Sequence, residues 1–147
     1  MSVTFLGPLS AGGIKLPFIS MSAVGSQSPV VERHVSIAEL CGVREPHVYL
    51  ARVEDEGMRG CGMSRGDMLV VDRSQYAEHG DIVVASLNAR QLCRRLHMRG
   101  HVVILQSENA DYPPLHVTDN DDLIILGVVT YSLKSLLEGR AACSSAP

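Results

Sequence analysis

No C-x-x-C pair occurs in this chain of 147 residues. Cys41, Cys61, Cys93 and Cys143 stand singly, so neither a zinc knuckle nor a disulfide framework is indicated, and reduced thiols fit a cytosolic protein best. Long hydrophobic runs are missing too: the apolar run from Leu123 to Leu133 is too short to cross a bilayer as a helix. There is no basic excess. Lys and Arg number 13 against 16 Asp and Glu, a net charge of −3, which argues against a module that grips nucleic acid by itself, because phosphate neutralisation needs a basic face. With 46% apolar and 20% charged residues the chain is neither disordered nor collagen-like, and its length suits one domain with one core. The expectation is a small cytoplasmic domain, off the membrane and without sequence-specific DNA binding of its own.

Acidic residues are also missing from residues 1–30, where Lys15 is the one basic residue. Gly7, Pro8, Gly12, Gly13, Pro17, Gly25 and Pro29 punctuate this stretch and prevent a long helix. Ala23-Val24-Gly25 loosely resembles a secretory cleavage site, but no basic region precedes it and Gly and Pro interrupt the apolar stretch. An extended, flexible arm is expected instead, with Leu16, Phe18, Ile19 and Met21 free to lie on another surface. Ser36 and Glu39 then fit a capping box, Leu40 follows, Gly42 supplies a stop, and Pro46 ends the element firmly. A helix this short is no helix-turn-helix, and no room for a DNA-reading domain exists before residue 48.

From there the pattern changes to short apolar runs separated by turn residues. Strands are expected at His47–Val53, Met68–Val71, Ile82–Leu87, Gln91–Leu96, Val102–Gln106 and Leu123–Val129, with hairpin tips at Leu87–Arg90 and Met98–His101. This spacing indicates an all-β fold, a single compact domain built as a partly open barrel or sandwich, rather than βαβ units. The expected organisation is an arm over 1–30, the β-domain over 31–137 and a frayed tail over 138–147, with a short final helix starting near Ser132.

Candidate chemistry is sparse, and no cofactor motif is present. His97 and His101 have helical spacing, extended by Cys93, but Arg94, Arg95, Arg99 and Gly100 surround them and read as a strand turning into its neighbour. The remaining histidines, His34, His47, His79 and His116, are scattered, so no metal site is expected. Between Val53 and Val71, Glu54, Asp55 and Glu56 precede four glycines, which marks a tight, partly exposed connection at a strand end, where sites often lie. Three carboxylates can ligate a hard metal, but a solvated acidic turn is the commoner fate of such a run.

One ordered series is more specific. It comprises Gly57-Met58, then Gly62-Met63-Ser64-Arg65-Gly66-Asp67-Met68-Leu69-Val70-Val71-Asp72, then His79-Gly80-Asp81-Ile82-Val83-Val84-Ala85. Arg94-Arg95-Leu96, Leu105-Gln106-Ser107-Glu108-Asn109 with Tyr112-Pro113, and Gly127-Val128-Val129 complete it. In order and spacing this resembles the UmuD and LexA group of self-cleaving β-proteins, UmuD most closely, over roughly residues 16–135. Val24-Gly25, with Ser28-Pro29 after it, falls where such proteins carry the bond that is cut. The lack of a DNA-binding domain favours the UmuD side.

The resemblance implies a serine nucleophile after the first strand of the body and a buried neutral lysine as its base, since desolvation lowers a lysine pKa toward neutrality. Here the sequence departs from the group. Gly57 stands where the serine should precede Met58, and Arg94 stands where the lysine should precede Arg95. Glycine has no nucleophile and guanidinium stays protonated, so no intact dyad is expected, and the serine peptidase fold would serve without its chemistry. The only lysines, Lys15 and Lys134, lie in the arm and beyond the last strand. Glu54 and Asp55 replace the small residues usual ahead of the nucleophile, and Glu54, Asp55 or Glu56 is expected to pair with Arg94 across the cleft beside Met58.

The expected function is that of a non-self-cleaving UmuD-like accessory protein of the SOS DNA-damage response, regulating translesion synthesis by an error-prone polymerase. Its implied partners are a second copy or an active UmuD-like protein in a mixed dimer, a Y-family polymerase subunit, the RecA filament and the sliding clamp. Two alternatives stand beside it: a LexA-type repressor body acting by mixed dimerisation, and an active peptidase with a displaced nucleophile such as Cys61.

Overall fold

The computed structural model describes residues 3–8, 15–19, 31–42 and 46–137. Among them are ten strands and one short α-helix. The strands are β1 (Val3–Pro8), β2 (Leu16–Ile19), β3 (Val31–Val35), β4 (Val48–Val53), β5 (Met68–Asp72), β6 (Ile82–Leu87), β7 (Arg90–Arg99), β8 (Val102–Gln106), β9 (Leu115–Val117) and β10 (Leu123–Leu133). The fold is mostly β, as the short apolar runs require. Eight strands form one antiparallel sheet in the order β1-β4-β5-β10-β6-β7-β8-β9, while β2 and β3 pair separately. β1 also approaches β7, so the sheet curls.

Helix α1 (Ile37–Leu40) begins at the box expected for it. Ser36 Oγ accepts the Glu39 amide at 3.1 Å, and Glu39 Oε2 accepts the Ser36 amide at 3.4 Å. Ala38 and Cys41 pack with Leu50 over buried Val48 and Val70, so the helix seals one face of β4 and β5. On β6, neighbouring residues point into different clusters. Val84 joins Ala51, Val53, Met58, Met63, Leu69, Val71 and Cys93, whereas Val83 and Ala85 join Leu92, Leu96 and Leu105. A strand covered on both faces explains why the run Ile82–Ala85 is continuously apolar instead of alternating.

Strand β10 is inserted between β5 and β6, far from either in sequence, and carries irregularities between Ile125 and Gly127 and between Val129 and Tyr131. Gly127 is required there: a Cβ would lie 2.5 Å from Val71 Cγ1 and 3.0 Å from the Asp72 carbonyl oxygen.

Several boundaries differ from the sequence expectation. β7 continues to Arg99, so its hairpin tip narrows to Gly100 and His101, because β8 pairs as far as Arg99 with Val102. β10 continues to Leu133, paired with Met68, so Ser132 is strand; the helical conformation expected in this tail begins only at Leu136 and Leu137, and the segment after 137 lies outside the described residues. The three-residue β9, directly after Pro113-Pro114, is held by β8 and was not expected. Within the stretch read as an arm, β1 pairs with β4 and β2 with β3.

Candidate functional site

The connection from β4 to β5 is closed at its base by two backbone bonds, Val53 N–H to the Asp67 carbonyl (2.9 Å) and Gly66 N–H to the Val53 carbonyl (2.8 Å). At its start Asp55 Oδ1 accepts the Gly57 amide at 2.9 Å, a local turn that short acidic side chains favour. Met58 follows, 1% exposed in the core, and fixes this turn against the sheet. A 3-10 turn over Arg59–Cys61 ends at Gly62, whose φ of 89° suits glycine.

The loop after β8 braces this turn. Glu108 donates its amide to the Gly57 carbonyl at 2.8 Å and accepts the Gly60 amide at 2.6 Å. Asn109 Nδ2 donates to the Glu56 carbonyl at 2.8 Å, and the Tyr112 hydroxyl accepts the Glu56 amide at 3.4 Å. The Ser107 hydroxyl lies against the carbonyls of Asn109 and Tyr112, and Arg95 Nε meets Glu108 Oε1 at 2.8 Å. Ser107, Glu108, Asn109 and Tyr112 belong to the ordered series of the sequence, which assigns them no role. Their signal is a polar run directly after an apolar strand, and that run ties Glu56 and Gly57 in place.

Arg94 enters the cluster from β7, with a side chain only 5% exposed. Its Nη2 lies 3.3 Å from Asp55 Oδ2, and its Nη1 lies 3.4 Å from Asp55 Oδ1 and 2.6 Å from the Cys93 carbonyl oxygen. The guanidinium sits 5.4 Å from the centroid of the Tyr112 ring, within reach of a cation–π attraction. Its Nε is buried without a hydrogen-bond partner among the described residues. A Cβ on Gly57 would fall 2.5 Å from Nη1, 2.6 Å from Cζ and 2.8 Å from Nη2. Guanidinium thus occupies the space that any side chain at residue 57 would need.

Of the three acidic residues at the turn, Asp55 meets Arg94, while Glu56 Oε1 accepts the Arg65 amide at 3.3 Å. Among the described residues no group of three or more His, Cys, Asp or Glu could hold a metal ion. His97 lies on β7 and His101 in the turn beyond it; the His97 ring stands 5.0 Å from His79, whose Nδ1 accepts the Met98 amide. Val24 and Gly25 lie outside the described residues.

The thiols nearby are poor nucleophiles. Burial pushes Cys93 up to about 12, against the pull of Arg94. Burial, followed by the charge of Glu108, raises Cys61, whose Sγ donates to the Met58 carbonyl at 3.2 Å. Both stay as thiols near neutral pH, where the thiolate is the reactive form. Each lysine has an acidic partner elsewhere: Lys134 Nζ meets Asp67 Oδ2 at 2.7 Å and Lys15 Nζ meets Glu39 Oε1 at 3.8 Å.

The Peptidase S24-like family matches residues 17–130, a span that takes in the whole cluster. The chain belongs to this family. It is 34% identical to a LexA repressor of Thiobacillus denitrificans over 134 residues, covering 84% of this chain and 66% of that protein. A LexA repressor of Bordetella parapertussis is 34% identical over 116 residues, covering 77% and 53%. Protein ImpA of Salmonella typhimurium is 27% identical over 147 residues, covering 95% of this chain and all of that protein. The chain therefore spans about two thirds or half the length of these LexA relatives. The braced turn lies within the matched span, and among the described residues no helix is long and apolar enough to cross a membrane.

Proposed function

We propose that this S24-like chain is a non-self-cleaving, UmuD-like accessory protein of the SOS DNA-damage response, regulating translesion synthesis by an error-prone polymerase. Gly57 takes the nucleophile position of a Ser–Lys dyad and Arg94 the base position. One observation carries the reading: the guanidinium of Arg94, paired with Asp55, fills the side-chain space of residue 57. A guanidinium stays protonated and glycine offers no oxygen, so neither half of acyl transfer is available. The match to protein ImpA, at 27% identity along all of that protein, supports the UmuD-like side of this reading.

In this role the chain works in the cytoplasm as a homodimer, or as a mixed dimer with an active relative that cuts Val24–Gly25 in trans. A Y-family polymerase subunit, the RecA filament and the sliding clamp are its proposed contacts. The test is the intact mass of the purified chain alone, with an activated RecA filament, and with an active UmuD-like protein. Unchanged mass in the first two, with cutting only beside the active relative, supports the reading; shortening of the chain alone overturns it.

The 34% identity to LexA repressors favours a second reading, a repressor body that forms mixed dimers with an intact repressor and spoils its operator binding. It predicts mixed dimers with a repressor and no retention of a polymerase.

A further inference from the structure

Asp55 holds three things at once. It accepts the Gly57 amide through Oδ1 at 2.9 Å, faces both terminal nitrogens of Arg94 at 3.3 and 3.4 Å, and does so with a side chain only 17% exposed. A carboxylate this close to a shielded position acts on whatever base stands there, because an opposite charge within a few ångströms favours the protonated form of an amine. We infer that Asp55 is a third determinant of the silenced site: it favours the charged form of any amine at position 94, so that restoring the serine and the lysine alone gives a base that works poorly near neutral pH.

This rests on the reading of positions 57 and 94 given above. The titratable and charged groups around Arg94 are few. Asp55 comes from the turn after β4, Tyr112 from the loop after β8, and Cys93 adjoins Arg94 on β7. Glu108 is taken up by Arg95, and Cys61 is a neutral thiol. Asp55 sets both of its carboxylate oxygens against the guanidinium. A dyad lysine needs the reverse surroundings, since it must lose its proton near neutral pH to accept that of the serine hydroxyl. In that step the serine oxygen bonds to the scissile carbonyl carbon, its proton passes to the lysine nitrogen, and the leaving amine takes that proton as the peptide bond breaks. With Asp55 beside it, the ammonium form persists to higher pH and the first transfer has little acceptor near neutral pH.

Full-length Gly57→Ser/Arg94→Lys and Asp55→Asn/Gly57→Ser/Arg94→Lys chains, compared across pH by intact mass, test this. Asparagine keeps an oxygen for the Gly57 amide and removes the charge. The rising limb of self-cleavage at Val24–Gly25 is expected about one pH unit or more lower in the triple variant, about a tenfold gain in rate near neutral pH. Superimposable profiles overturn the inference.

A second measurement does not need cleavage. Natural lysines number only two, Lys15 and Lys134, so lysine labelled with carbon-13 at the ε position yields three resolvable titrations in an Arg94→Lys chain. The midpoint of the added lysine is expected to fall when Asp55→Asn is included, and an unchanged midpoint overturns the inference. A shifted midpoint with no cutting by either dyad variant sinks the assignment of positions 57 and 94 while the role of Asp55 stands. This arm also decides the matter if the Gly57→Ser chains do not fold.

Discussion

Gly60 and Glu108 meet backbone to backbone, the glycine amide donating to the Glu108 carbonyl at 2.6 Å. A Cβ on Gly60 would press directly into that carbonyl oxygen, an atom that no rotamer can move aside. Gly60→Ala is therefore expected to cost about 2 kcal/mol, by overpacking and loss of the hydrogen bonds on either side of Glu108. Chemical denaturation of the variant and the parent chain checks this. A loss below roughly 0.5 kcal/mol, the range of neutral surface changes, would show that the loops are not locked together here.

The contact of Gly57 with Arg94 predicts coupling. Gly57→Ser in the natural background must displace a guanidinium held by Asp55 and the Cys93 carbonyl, at an expected cost of about 2 kcal/mol. In an Arg94→Lys background, where the end group is smaller, the same change is expected to cost about 1 kcal/mol less, a coupling usual for residues in contact. Additive melting shifts across the four proteins of the cycle would contradict the observed packing.

At the β6–β7 turn, Asn88 and Ala89 both have positive φ, 52° and 67°. Asn88 is suited to this and is further held by Asp121 and Asp122, at 2.9 and 2.8 Å. Alanine in that conformation is strained, and Asn-Gly is the preferred pair for a two-residue hairpin. Ala89→Gly is expected to stabilise by about 0.5 kcal/mol, the relief of strain exceeding the entropy cost of glycine. Thermal melts of the two proteins settle the sign.

Acid stability carries the mark of Asp72. Burial alone would raise its carboxyl, but hydrogen bonds from the Ser74 hydroxyl and amide, the Gln75 amide group and the charge of His47 outweigh burial, leaving it below the ordinary carboxylate value. A depressed folded value means stability that is fully present above the unfolded value near pH 4 and is lost as pH falls through the folded one. Asp72→Asn should flatten that part of the melting-temperature profile below about pH 4, with the neutral range shifted uniformly. An unaltered acid slope would remove Asp72 from the account.

The buried thiol gives a kinetic prediction. With Cys93 pushed up to about 12, only roughly one part in 10,000 is thiolate at pH 8, and the group is 2% exposed. Iodoacetamide should modify exposed Cys61 long before Cys93, as read by peptide mass spectrometry. Equal rates would mean that the sheet opens around Cys93 on the labelling timescale.

Much of this was legible in the chain because its causes are local. The capping box of Ser36 and Glu39, the strand at Ile82–Leu87, the Asn88-Ala89 turn and the ordered series around Gly57 and Arg94 depend on neighbouring residues or on spacing. The three consecutive carboxylates marked the turn after β4 as the acidic one, and the two lysines could be counted directly. Tertiary structure alone decided the rest. It brought Asp55 to Arg94; it placed β10 between β5 and β6, extended β7 and β10 beyond their apolar cores, and made a strand of Leu115–Val117. Each of these depends on a partner remote in sequence: a carboxylate finds its guanidinium only when β4 and β7 share a curled sheet, and a short strand exists only where a neighbour accepts its hydrogen bonds.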